Sequence, residues 1–530
     1  MVPLVSGASG PRPPRDLVLP ALLALSLALR LVAALRPLPA LDDLAIPDDA
    51  YLSLTIARSL AHGLGPFYGL APTSGFQPLY VLFMAPVFAL VPHDPITPVR
   101  VAQAMLALCD TAALFFIYRI VARASVARAT PALVGLAWAF NPYAIQTSLN
   151  ALETSLAFLL LVVVFDAVDR LRRAGPAAAV PRRLAGVGAL VGLAMLARID
   201  AVFLLPAVGW PILADHARAG LPLRRAAAAL AACALAAAAV YAPWLAWSFA
   251  ATGDLLPVSG SAVRYMCLSS VHHQPTVANT YLPMLLDALG VIARKNAPAI
   301  ALAGALVVLL AAVGGRRALR DLRAALRPHD PVGLFGACIL TAYAFWVFGP
   351  WHFPRYLFPL ALAFALVAAA AMDLLLARIG DPARRRLAVA AFAVAILAAS
   401  AAHPAFRRLY APGTPEPWGY MRIGLWAREH FAPGTVIGGS QTGALGYFAD
   451  KLTVVNLDGV VNKACLEAMR QKRAMDYLRE SGVEFLVWQD DIDFLARESR
   501  RTSPGDLVPL GEVEGIRTWG EPWHVYQVRR

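Results

Sequence analysis

Two stretches near the start of the chain decide the fold: LVLPALLALSLALRLVAAL at residues 17–35, and PDDAY at residues 47–51. The first approaches the roughly 20 apolar residues that cross a bilayer as a helix. The second places two adjacent carboxylates, Asp48 and Asp49, in a loop just beyond it, followed by Tyr51. Carboxylates are costly beside hydrocarbon and tend to mark sites there. The pair therefore stands out as the expected centre of the chemistry.

Composition points the same way. The 530 residues are 59% hydrophobic and only 15% charged, where a soluble protein shows about 25% charged. Mean hydropathy is +0.59. The net charge of +13 lies in short arginine clusters between apolar runs, the pattern that reports membrane orientation and contact with anionic headgroups. Nucleic-acid binding is not expected. Five cysteines (Cys109, Cys233, Cys267, Cys338, Cys465) are scattered without a C-x-x-C, so no disulfide framework or zinc site is implied. Abundant alanine and arginine with little lysine suggest a GC-rich bacterial source.

The alternation of apolar runs and arginine clusters predicts eleven membrane helices, at about 17–35, 99–118, 131–147, 152–168, 184–197, 201–214, 226–249, 298–313, 332–349, 356–377 and 387–402. Arg12 and Arg15 before the first helix place the N-terminus inside. Further clusters at Arg119–Arg128, Arg170–Arg183, Arg218–Arg225, Arg316–Arg327 and Arg378–Arg386 mark the inner connections. The run Leu79–Val91 is short and studded with Pro78, Pro86 and Pro92, so it is expected as a juxtamembrane helix within one outer loop, 36–97. A second long outer loop covers about 250–297. An odd helix count leaves residues 403–530 outside, beyond a membrane domain at 1–402. Strands at 435–438, 452–457 and 483–488, with an amphipathic helix at 467–481, predict a small extracytoplasmic α/β domain there. No internal repeat is evident, which weakens transporter folds built from inverted repeats.

Several residues admit two roles. Asp48-Asp49 fits a solvated dipeptide or a cap for the helix beginning near Tyr51, a role that Asp42-Asp43 also suits. It equally fits a general base taking a proton from an acceptor hydroxyl, its neighbour binding substrate or a metal. Glu153 and Asp200 fall at outer helix ends, where they could cap, pair with Arg198, bind hydroxyls or orient a cation. Gly438-Gly439-Ser440-Gln441-Thr442-Gly443 reads as a structural turn, without a phosphate-binding loop's lysine, and the His272-His273 pair as incidental.

The residues around the carboxylates resemble a known pattern. Asp48-Asp49-Ala50-Tyr51, Ile56-Ala57-Arg58-Ser59-Leu60 and Thr73-Ser74-Gly75-Phe76-Gln77-Pro78 look like the first outer loop of GT-C glycosyltransferases. These include protein O-mannosyltransferases, the lipid A aminoarabinose transferase and actinobacterial arabinofuranosyltransferases. The similarity continues through Asn150–Thr154, Ala197–Asp200, Gly253–Gly260, Trp351–Tyr356, Gly443–Phe448 and Asn456–Asn462. It is specific for class, not for a sugar.

The resemblance implies a bacterial inner-membrane enzyme that moves a sugar from a polyprenyl-phosphate donor to a hydroxyl of a glycan, lipid or protein acceptor on the extracytoplasmic face, with inversion. Asp48 is favoured as the base and Asp49 as its support, with the roles interchangeable. Arg355, Arg198, His352 and Arg264 are the expected ligands of the donor phosphate; interfacial snorkelling is the plain alternative. Tyr51, Glu153, Gln77, Tyr356 and Asp200 are expected to bind substrate. No cofactor is required by this scheme, and no metal cluster is evident, although the carboxylates would admit a divalent cation. The rival from another class is a transporter or flippase of a lipid-linked saccharide.

Overall fold

The computed structural model describes residues 17–529 apart from 270–274, 412–418, 490–491, 501, 504 and 519. Arg12, Arg15, His272-His273, Pro412, Pro415 and Pro417 lie outside the described residues. The chain is a multi-pass helical membrane protein by length and composition. Among the described residues, six helical stretches are long and apolar enough to cross a bilayer: Thr97–Ala124, Ile199–Arg218, Leu223–Thr252, Ala297–Val347, Leu360–Arg378 and Pro382–Ala402.

Several expected segments are broken where the sequence supplies a reason. The run 131–147 divides into helices Thr130–Ala139 and Pro142–Ser148. Asn141 caps the second by accepting from the Tyr143 and Ala144 amides at 3.0 and 3.4 Å. The run 332–349 becomes the helix Asp330–Ala342, then a π-helical turn, Tyr343–Val347. It ends in a reversal at Phe348 (φ 66°) and Gly349 (φ 83°). A bulky residue at positive φ is an outlier held by its surroundings, and Phe348 is fully buried. The helix expected from 356 starts instead at Leu360, because Pro350–Tyr356 forms its own short helical turns.

The Pro78–Leu90 helix has 13 residues, about 20 Å at 1.5 Å per residue, too short to span. It packs against the helix Asp48–Ala61.

The C-terminal segment carries a five-stranded sheet. Strands β3 (Val436–Gly439), β4 (Thr453–Asn456) and β5 (Phe485–Trp488) are parallel, while β6 (Leu507–Thr518) and β7 (Glu521–Val528) form an antiparallel hairpin beside β5. A two-residue pair, β1 (Phe67–Tyr68) and β2 (Ala71–Pro72), lies between the helices Asp48–Ala61 and Pro78–Leu90. The helix expected over 467–481 is two, Lys463–Arg470 and Ala474–Glu480, broken at Lys472 with φ 57°. The sheet is not free-standing: its residues share one hydrophobic core with the helices Asp48–Ala61 and Pro78–Leu90. Tyr51 sits at its centre, fully buried, with its ring 5.5 Å from Tyr447 and 5.1 Å from Phe448.

Deep between apolar helices, Arg30 pairs with Asp110 at 2.5 Å, both fully buried. Arg30 also donates to the carbonyls of Ser26 and Ala139 at 3.0 and 3.2 Å. Removing one partner of a buried pair strands a charge at roughly 3–5 kcal/mol, whereas apolar replacement of both is far milder. Asp110→Ala is therefore expected to lower the thermal stability of the detergent-solubilised protein strongly, and Arg30→Met/Asp110→Leu to restore most of it.

Candidate active site

The reversal at Phe348-Gly349 swings Trp351, His352 and Arg355 against the first turn of the Asp48–Ala61 helix. Asp49 there forms an ion pair with Arg355. Trp351 Nε1 donates to His352 Nε2 at 2.7 Å. The other ring nitrogen, Nδ1, lies 3.0 Å from Arg355 Nη2 and 3.6 Å from the Asp49 carboxylate. Burial, then the neighbouring Arg355, pushes the His352 pKa down to about 3, and the ring stays neutral. Burial pushes Asp49 up, but Arg355 outweighs it and holds the carboxyl below its ordinary value. Asp49 keeps 28% of its side chain exposed.

Asp48 faces elsewhere. It is 5% exposed, and both oxygens accept backbone amides of the C-terminal segment: Gly443 N at 2.7 Å and Ala444 N at 2.9 Å. The turn Gly438–Gly443 thus receives the chain's own carboxylate. Burial outweighs the two amides and raises Asp48 to about 7. Asp458, in the loop after β4, is raised by burial to about 8, with Asp49 and Asp48 adding to the effect. Asp458 lies within the stretch Asn456–Asn462 that carries the resemblance, but nothing in one dimension brings it beside Asp48 and Asp49.

Arg198, expected on the donor phosphate, is already neutralised. It pairs with Glu153 at 2.9 Å and Asp200 at 2.7 Å. Tyr343 completes the cluster by donating to Asp200 at 2.7 Å. Glu153 and Asp200 are therefore engaged by Arg198. Tyr356 stacks on Tyr343 with ring centroids 4.4 Å apart and lies under Arg198 and Arg355, 4.9 and 5.3 Å from its ring centre. Its ring joins the two cation clusters.

Three further expectations are corrected. Tyr51 is a core residue whose hydroxyl donates to Asp42 at 2.5 Å. Asp42 also accepts the Met421 amide at 2.7 Å, in the first turn of the helix Tyr420–His430. It thus ties its own segment to the C-terminal one and satisfies the start of that helix rather than the one beginning at Asp48. Arg264 lies over the Trp346 ring at 4.0 Å, and Gln77 precedes the Pro78–Leu90 helix. Neither lines the cavity described next.

That cavity, about 250 Å³, is bounded by Arg355, His352, Trp351, Tyr143, Asn150 and Lys295. Lys295 donates to Gln146 Oε1 at 2.9 Å, and burial with nearby Arg408 and Arg294 lowers its pKa. Sequence reading missed it, although a signal existed: it is the only lysine before Lys451. A second, apolar cleft lies beside it, lined by Trp138, Pro142, Leu302, Ala361 and Ile396. Asn296 and Pro142 on its wall directly adjoin Lys295 and Tyr143 in sequence. Among the described residues, no cluster of His, Cys, Asp or Glu is arranged to hold a metal.

The fold is that of the GT-C membrane glycosyltransferases. ArnT from Cupriavidus metallidurans, bound to undecaprenyl phosphate, superposes with a TM-score of 0.60 at 12% identity, over 96% of this chain and 97% of that one. The archaeal oligosaccharyltransferase AglB from Archaeoglobus fulgidus, in complex with an inhibitory peptide and a dolichol-phosphate, superposes with a TM-score of 0.52 at 13% identity, over 89% of this chain and 69% of that one. A family model described as a domain of unknown function (DUF8728) matches residues 413–527. No curated protein matches the chain.

The raised carboxyls give a pH dependence with a definite sign. An unfolded Asp titrates near 3.9, so between about pH 4 and the folded values near 7 and 8 the native state holds protons that the unfolded chain has lost. Stability falls as pH rises wherever the native state binds more protons. Melting temperature should therefore decline from about pH 4 to pH 8, and Asp458→Asn should flatten the upper part of that decline.

Proposed function

We propose that this chain transfers a sugar from a polyprenyl-phosphate donor to a hydroxyl acceptor at the extracytoplasmic face of a bacterial inner membrane, with Asp49 as the base. The carrying observation is the Asp49–Arg355 ion pair beside a cavity that also holds Lys295. Two cations facing one space suit an anionic phosphate, and the adjoining apolar cleft suits its polyprenyl tail. The fold shared with GT-C proteins supports the same class. A transporter of lipid-linked saccharides is less well supported, because the buried pair Arg30–Asp110 is closed and borders no described cavity.

In this scheme the acceptor oxygen attacks the anomeric carbon as its proton passes to Asp49. The bond from that carbon to the phosphate oxygen breaks with its electron pair on the phosphate, where Arg355 and Lys295 stabilise the charge. Attack from the face opposite the phosphate inverts the centre. The sequence favoured Asp48 as base; its full occupation by amides favours Asp49 instead. When the phosphate takes up Arg355, burial acts on Asp49 unopposed, and the carboxylate becomes a stronger base.

Purified protein, incubated with a panel of polyprenyl-phosphate sugars and a membrane extract, should release polyprenyl phosphate. Asp49→Asn should lower kcat by roughly 10²–10⁴, the usual worth of general base catalysis. Undiminished transfer by a folded Asp49→Asn protein contradicts the assignment. Lys295→Met should raise the donor KM by roughly 10- to 100-fold, the equivalent of a lost charge-assisted hydrogen bond.

A further inference from the structure

The loop helix Asp48–Ala61 grips the short C-terminal helix Gly443–Phe448 at both ends. At one end Asp48 takes the amides of Gly443 and Ala444. Ten residues further along, about 15 Å on a helix, Arg58 donates to the carbonyls of Gly446 and Tyr447, both at 2.8 Å. Its guanidinium lies 5.2 Å from the Tyr447 ring centre. The acid meets the free N–H groups and the base meets the free carbonyls, so each end is satisfied by the charge that suits it.

The contact has no slack. A Cβ on Gly443 would stand 1.9 Å from the Asp48 carbonyl oxygen, and one on Gly75 would stand 2.0 Å from the Val460 carbonyl oxygen. Tyr68 adds a third tie by donating to the Thr442 carbonyl at 2.5 Å. Consecutive helical residues project about 100° apart. Fixing Asp48 on the C-terminal segment therefore aims Asp49 at a different face, the one where Arg355 waits.

We propose that Asp48 is a positioning residue: seated on the Gly443 and Ala444 amides, it locks the first turn of the loop helix so that Asp49 meets Arg355, which makes the C-terminal segment a working part of the active site. The proposal rests on the role given to Asp49 above. Arg58 acts in the same way from the other end of the clamp, without touching either carboxylate.

Three full-length variants test it: Asp48→Asn, Arg58→Met and Asp49→Asn. Asn at 48 can still accept one amide but turns a donor toward the other. Asp48→Asn and Arg58→Met should each lower kcat roughly 10- to 100-fold, as a displacement near 1 Å does, with donor KM and the shape of the pH profile unchanged. Hydrogen exchange at Gly443 and Ala444 should quicken in both. Asp49→Asn should lose the base-dependent limb of the profile while exchange stays slow. The proposal is overturned if Asp48→Asn is as inactive as Asp49→Asn with Gly443 and Ala444 still protected, or if exchange quickens while kcat holds. Should the wild type transfer from no polyprenyl-phosphate sugar, the functional reading fails, and exchange alone decides the docking: faster in Asp48→Asn supports it, unchanged overturns it.

Discussion

The seating of Asp48 on two C-terminal amides is the interaction on which the rest of the site depends. It acts together with the Tyr51–Asp42 hydrogen bond and the Arg58 contacts to hold the helix Asp48–Ala61 against the C-terminal segment, and it is the tie that engages the first residue of that helix. With it, two neighbouring carboxylates are separated in role: Asp48 is consumed by structure and Asp49 is presented to Arg355. The shared core around Tyr51, Tyr447 and Phe448 supplies the apolar part of the same junction.

Charge around the cavity is divided with similar economy. Arg198 is closed off by Glu153, Asp200 and Tyr343, so it holds the wall that carries Tyr356 and offers no free cation. Arg355 is matched by a single, partly exposed carboxylate, and Lys295 only by a neutral amide. An anion entering the cavity therefore meets Lys295, held only by an amide, and Arg355, whose one partner Asp49 it would have to displace. A lipid phosphate fits this division because its tail has an apolar cleft to enter beside Lys295.

Much of this was legible in the chain. Runs such as 99–118, 226–249 and 387–402 fall within long apolar helices, because a membrane span imposes length and hydropathy on consecutive residues, whereas 131–147 and 332–349 are broken. Parallel strands β3, β4 and β5 were visible as short buried runs, while the hairpin β6–β7 was not: β6 is largely exposed, β7 is only partly buried, and neither is a continuous apolar run. At the site, Asp48-Asp49, Arg355, His352 and Tyr356 stood out as charged or aromatic residues where few were expected. Their division of labour was hidden, because it depends on Gly443, 395 positions from Asp48. The closure of Arg198 had been visible only as one of two alternatives. Lys295 and Asp458 escaped for the same reason, since their neighbours come from distant segments.

The central claim is that Arg355 passes from Asp49 to the donor phosphate. The most direct test is an experimental structure of the full-length protein with bound polyprenyl phosphate. The account predicts the phosphate within hydrogen-bonding distance of Arg355 and Lys295, its chain in the cleft beside Trp138 and Leu302, and Asp49 released from the guanidinium. A phosphate bound elsewhere, with Arg355 still paired to Asp49, would contradict it.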